Sequence, residues 1–160
     1  MFRKLVLLLS FIYCLNAGSL SLTGPAFSKH FNDGYNSEHD WIGLKLDYLL
    51  DKDLLLGFEY SKFINSYDNL TKVYVVNATY LPYEYYNFKF GLNFGIGYQK
   101  GYCITGIDFK HCSQTDKNES LVLIPSLQTE AVFFDYKFGL NILPISDALT
   151  GRFYLNILEW

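Results

Sequence analysis

The 160-residue sequence predicts an all-β fold, an eight-stranded antiparallel up-and-down transmembrane β-barrel, and three observations carry that expectation. Beyond the first 17 residues, apolar and polar side chains alternate at period two, with no run of helical period. Aromatic residues make up 19% of the chain, and its 14 Tyr equal its 14 Phe. The last alternating segment runs on to an aromatic residue, Trp160. Period two matters because successive side chains of a strand point to opposite faces.

The N-terminal segment is read as a signal. Arg3 and Lys4 precede an apolar run over 5–13, and Leu15-Asn16-Ala17 leads to Gly18. A charged, then apolar, then small-residue order is that of a secretory signal, with cleavage expected after Ala17. The run is too short for a membrane-spanning helix, which needs about 20 apolar residues. Cys14 follows Tyr13 and not a small residue, which speaks against lipid attachment there. The division is therefore residues 1–17 as signal peptide and 18–160 as one outer-membrane barrel domain.

The first strand is placed near 19–31. The second carries Ile42, Leu44, Leu46 and Tyr48 against Gly43, Lys45 and Asp47. The third sets Leu54, Leu56, Phe58 and Tyr60 against Gly57, Glu59 and Ser61. A fourth spans 71–81. The fifth, over 87–99, alternates most cleanly: Phe88, Phe90, Leu92, Phe94, Ile96 and Tyr98 oppose Asn87, Lys89, Gly91, Asn93, Gly95, Gly97 and Gln99. The sixth spans 120–132. The seventh, over 134–142, opposes Phe134, Tyr136, Phe138, Leu140 and Ile142 to Asp135, Lys137, Gly139 and Asn141, and the eighth spans 150–160.

Short polar connections at 51–53, 82–84 and 146–147 alternate with longer ones at 32–40, 67–70 and 103–119, as in a meander. Short turns facing the periplasm and long loops facing outward are the habit of outer-membrane barrels. Alternation alone does not say which face is wet. A soluble barrel puts its apolar set inside, whereas a membrane barrel turns it to lipid and keeps the polar set in the lumen. Tyrosine suits an interfacial girdle, and glycines on the polar face suit a narrow lumen. Both favour the membrane and place the protein in the Gram-negative outer membrane. Trp160 fits imperfectly, because it has the opposite parity from Phe153, Leu155 and Ile157.

Losing Arg3 and Lys4 with the signal moves the formal charge from −3 to −5. No Lys/Arg cluster exceeds two residues, so a nucleic-acid partner is not expected. Cys103 and Cys112 remain, inside a polar stretch of an exported chain. A loop disulfide made in an oxidising compartment is the economical reading, with two free thiols the alternative. His39 and His111 lie in different polar loops without a ligand set around them, so no metal site is expected, nor any cofactor.

Several segments in one order resemble the PagP family of lipid A palmitoyltransferases. They are Pro25-Ala26-Phe27-Ser28-Lys29-His30 with Tyr35-Asn36, Trp41 and Gly43; Phe63-Ile64-Asn65-Ser66-Tyr67; Phe90-Gly91-Leu92-Asn93-Phe94; Val122-Leu123-Ile124-Pro125; and Ile142-Leu143-Pro144. The resemblance implies an eight-stranded outer-membrane barrel that moves an acyl chain from a phospholipid to lipid A, with those two lipids as partners and a monomeric state. It implies His30 and Ser66 as catalytic residues, with Asn65 where the family carries an aspartate. An Asn can orient an imidazole but cannot stabilise an imidazolium by charge. Without the resemblance, His30 simply ends a strand and Ser66 opens a polar loop.

Proline has no N–H for a ladder, so Pro25 and Pro125 inside strands must open gaps in a closed wall. In the resembling family such gaps admit lipid sideways, the role implied for both, while Pro144 is read as a strand end. Val73 and Val75 fall on the expected inner face of the fourth strand and are implied to line an acyl pocket. The competing function is a non-catalytic barrel acting through its outer loops, in adhesion, protection or phage exclusion.

Overall fold

Alternation over segments of 10 to 16 residues is enough to build a closed wall. The computed structural model describes residues 17–31, 38–65, 70–101, 119–134, 136–145 and 148–160. Its strands are β1 (Gly18–His30), β2 (Glu38–His39), β3 (Ile42–Asp51), β4 (Leu54–Ile64), β5 (Leu70–Tyr85), β6 (Phe88–Lys100), β7 (Glu119–Phe133), β8 (Tyr136–Ile145) and β9 (Ala148–Glu159). β2 is a two-residue piece that returns from the first loop to pair with β1, Ala26 opposite His39 and Phe27 opposite Glu38. The other eight form an antiparallel meander in which each long strand neighbours the next, and β1 pairs with β9 to close the ring. Closure removes the unpaired strand edges that an open sheet would present to lipid.

The facing is that of a membrane barrel. Lys45 is 0% exposed while its neighbour Leu44 is 50% exposed, and along β5 Thr71, Val73, Val75, Asn77 and Thr79 are buried while Leu70, Tyr74, Val76 and Tyr80 are exposed. Charged and amide side chains thus fill the interior, and Leu, Phe and Ile cover the outside. A soluble barrel would show the reverse. Tyrosines and phenylalanines gather toward both ends of the outer face: Tyr60 and Tyr74 meet at 4.9 Å between ring centroids near one end, and Phe88 lies 5.9 Å from Phe133 near the other.

Both chain ends of the barrel and the connections from β3 to β4, β5 to β6 and β7 to β8 lie at one end, here the turn end, which faces the periplasm by the usual rule. The opposite, loop end carries His30, His39, Asn65, Gly101 and Ala148. Glycines make room in the lumen. The ring of Tyr154 lies across Gly139, its cross-strand partner, where an added Cβ would fall inside the ring.

Three local expectations are corrected by irregularities in the strands. The fourth strand of the sequence reading does not stop at 82–84: β5 continues to Tyr85, and the turn lies at Tyr86-Asn87, with Tyr86 at φ 52°. Pro82 is tolerated because the β5–β6 register slips between Tyr80 and Tyr83, so its missing N–H falls at a bulge. The strand placed over 134–142 is β8, Tyr136–Ile145, and Phe134 belongs to the turn at φ 50°. The parity of Trp160 is reset by a bulge in β9, where the partner of Leu20 is Leu158 and that of Ser21 is Asn156. Ile157 and Leu158 consequently both face outward, and Trp160 pairs with Gly18 through two backbone hydrogen bonds of 3.0 and 3.1 Å and lays its ring against that glycine.

Candidate functional site

Two features could carry function: the contents of the lumen and the cluster at its loop end. The lumen holds a chain of buried charges. Arg152 Nη1 lies 2.6 Å from Glu59 Oε1, a carboxylate that also accepts from Ser61 and, at 3.5 Å, from Thr23. Lys45 Nζ pairs with Asp47 at 2.9 Å and sits 5.4 Å from the centre of the Tyr154 ring. The Tyr154 hydroxyl donates to Glu130 at 2.6 Å, and Gln128 donates to Glu130 at 3.0 Å and to the Tyr154 oxygen at 2.8 Å. These groups come from β1, β3, β4, β7 and β9, so the network ties opposite walls together. Further hydrogen bonds complete the Glu59 and Glu130 carboxylates and the Tyr154 ring faces Lys45, while Asp47 Oδ1 and Arg152 Nε are buried without a hydrogen-bond partner among the described residues.

At the loop end, His30 is brought to Ser28 and His39. His39 Nδ1 donates to the carbonyl of Ile64 at 2.9 Å, which leaves Nε2 of the neutral ring as an acceptor. The Ser28 hydroxyl donates to that nitrogen at 2.8 Å and accepts from His30 Nε2 at 3.0 Å. The result is a directed relay, His30 to Ser28 to His39, running from the end of β1 to the two-residue β2 that folds back over it. Ser28 and His39 are both buried. Phe63 backs the relay, 6.2 Å edge-on from His39, and stacks on Trp41 at 4.0 Å.

The other residues proposed from the sequence are placed as follows. Asn65 is buried and its amide donates to Thr71 Oγ1 at 3.0 Å and to the carbonyl of Gly101 at 2.9 Å, bracing the ends of β4, β5 and β6. Ser66, Cys103, Cys112 and residues 1–16 of the signal segment lie outside the described residues. Val73 and Val75 face the lumen, and Val75 packs into the space over Gly95 and Gly97. Pro25 is exposed and sits where both neighbouring ladders break: β1 pairs with β3 only as far as Thr23, and its register with β9 jumps from Thr23 to Ala26.

Pro125 borders a larger interruption. The β7–β8 ladder runs from Phe133 opposite Tyr136 to Leu127 opposite Ile142 and stops. Among the described residues, β7 from Glu119 to Ser126 is paired with β6 alone, and β8 beyond Ile142 with β9 alone. Pro125 and Pro144, facing this seam from its two sides, each lack the N–H that would have continued the ladder. Pro144, read from sequence as a strand end, stands within β8 opposite Leu149.

Sequence reasoning passed over Ser28 and His39. Ser28 carried a signal, since it shares the inner parity of Ala26 and His30. His39 carried none, because which residue of a long loop returns to pair with β1 is decided by the closed wall.

No family model matches the chain, and no curated protein matches it. Among solved structures, it is similar to the N-terminal β-barrel domain of OprF from Pseudomonas aeruginosa, with a TM-score of 0.55 at 13% identity, over 88% of this chain and 96% of that one. The fold is that of an outer-membrane β-barrel. The attachment invasion locus protein Ail of Yersinia pestis is matched at a TM-score of 0.45 and 14% identity, over 88% and 94% of the two chains. Identities this low speak to architecture. With the outward apolar face and ionic lumen, the architecture places the protein in the outer membrane.

Proposed function

We propose that this protein is a non-catalytic outer-membrane barrel that acts through its outer loops, in adhesion, protection or the exclusion of a phage. The observation that supports this reading is the ionic lumen: Arg152, Glu59, Lys45 and Asp47 occupy the space that an acyl chain or a solute would need. An apolar chain laid beside them would strip water from charges without replacing it. What remains available for work is the loop end, where residues 32–37 and 102–118 connect the strands. Replacing 102–118 with a short Gly/Ser turn, in cells displaying the protein, is expected to abolish surface adhesion, serum survival or resistance to phage adsorption. The barrel itself should still fold. Unchanged phenotypes in all three assays would sink the reading.

A second reading, acyl transfer from a phospholipid to lipid A, is favoured by the His30–Ser28–His39 relay and by the seam beside Pro125. In it Ser28, with its proton directed to His39, joins the residues His30, Ser66 and Asn65 that the family resemblance implies. Acyl transfer needs a base on a hydroxyl and donors for the developing oxyanion. Val75 would have to give up its packing on Gly95 and Gly97 to admit a chain. Lipid A that gains the mass of one acyl chain, and loses that gain with Ser28→Ala or Ser66→Ala, would displace the loop-binding reading.

A further inference from the structure

On the outward face, the registers of four strands line up one row of cations. Lys62 of β4 is opposite Lys72 of β5, Lys72 is opposite Lys100 of β6, and Lys100 is opposite Glu119 of β7. The row directly below, toward the membrane, is Tyr60, Tyr74 and Tyr98 in the same register. All three lysines are exposed and share parity with the tyrosines and, further in, with Phe58, Val76 and Ile96.

Neighbouring residues in such a row stand about 5 Å apart, where like charges destabilise a sheet. Glu119 relieves only one end: its carboxylate accepts from Lys100 at 3.0 Å and from the Tyr98 hydroxyl. Among the described residues no carboxylate pairs with Lys62 or Lys72. The row sits just outside an interfacial tyrosine girdle, the level at which lipid headgroups lie. There lysine stems can lie along the rings while their ammonium groups meet the headgroup layer. A counter-anion supplied by the membrane would turn the repulsion into binding.

We propose that Lys62, Lys72 and Lys100 form a binding site for the phosphate groups of an anionic outer-leaflet lipid, seated against the Tyr60–Tyr74–Tyr98 girdle. The position selects a lipid over a soluble polyanion. The ammonium row lies on the lipid-facing side of the wall, above Tyr74 and Val76, and not on the rim of the lumen. The site is independent of either reading of the loop end.

The test uses the full barrel refolded in phosphatidylcholine vesicles carrying a minor fraction of bisphosphorylated lipid A, then extracted in mild detergent. Lipid A retained by the protein is counted by mass spectrometry. Wild type is expected to retain lipid A in preference to phosphatidylcholine, and to lose it as salt is raised. A lysine at a charged membrane surface contributes roughly 5-fold in affinity, so Lys62→Gln with Lys72→Gln should lower retention by roughly 25-fold. Lys89→Gln, on a lysine paired with Glu84 at the turn end, should leave it unchanged. Faster migration of unboiled samples establishes that each variant is folded. Retention by the folded double variant at the wild-type level overturns the proposal. So does a result in which a heparin fragment binds the wild type in detergent through the same lysines while lipid A is not enriched, since the partner is then a soluble polyanion.

Discussion

At the scale of single residues, the interior shows how a small barrel manages charge. Glu59 is 1% exposed and Arg152 7%, and they come from strands 93 residues apart in sequence. Arg152 also lies 5.1 Å from the ring of Trp41, so its guanidinium is held by an acid below and an aromatic face beside it. Removing one partner leaves the other buried without its counter-charge, a loss of about 3–5 kcal/mol. Arg152→Met is therefore expected to lower the urea midpoint of the detergent-solubilised barrel. Adding Glu59→Gln to it should recover most of the loss, because the orphaned charge is then gone. A double variant no more stable than Arg152→Met would mean that the pair is not coupled. The alternation around Glu59 announced its inward direction from the sequence, as Gly57, Glu59 and Ser61 faced Leu56, Phe58 and Tyr60. Its partner was not legible, because closure of the ring, and not local pattern, sets β9 across the lumen from β4.

At the scale of elements, regular strands were legible and irregular ones were not. β6 was read to within one residue, since both of its faces display their character over the whole length. β5 was cut short at Pro82, because a proline in a bulge and a proline at a strand end look alike in sequence. The bulge at Ile157–Leu158 left two adjacent apolar residues as its only trace, and it is what brings Trp160 to the outer face. The seam between β7 and β8 was half visible: Pro125 inside a strand implied a gap, but Pro144 was read as a strand end, and no local pattern showed that the two would border one opening. Its consequence is measurable. Amides of 121–126 that point toward β8 have no ladder partner there, whereas those of 128–132 do. Hydrogen exchange in detergent is expected to be faster by about 10-fold or more in the first group, reflecting local opening well below the global barrier. Equal protection in both segments would mean that the seam is closed in solution.

At the scale of the whole molecule, the ring is closed in sequence terms by its most distant strands. β1 meets β9 from Ser19 opposite Glu159 to His30 opposite Ala148, so the last strand is required before the sheet loses its two free edges. A partial barrel would expose N–H and C=O groups to hydrocarbon at several kcal/mol each, which makes intermediates with an open edge unfavourable. Folding and unfolding should accordingly be concerted, despite the break at Pro25 and the seam at Pro125, because neither interruption runs the full height of the wall. The unboiled protein is expected to migrate faster than the boiled protein on a denaturing gel and to convert in a single step as temperature rises. Removing 148–160 deletes β9 and leaves β8 and β1 as free edges, so that truncated chain is expected to give the slow band at every temperature and to be recovered in aggregates. If the truncated chain produced the fast band, the β1–β9 ladder would not be what holds the barrel shut, and closure would have to come from β8 pairing directly with β1.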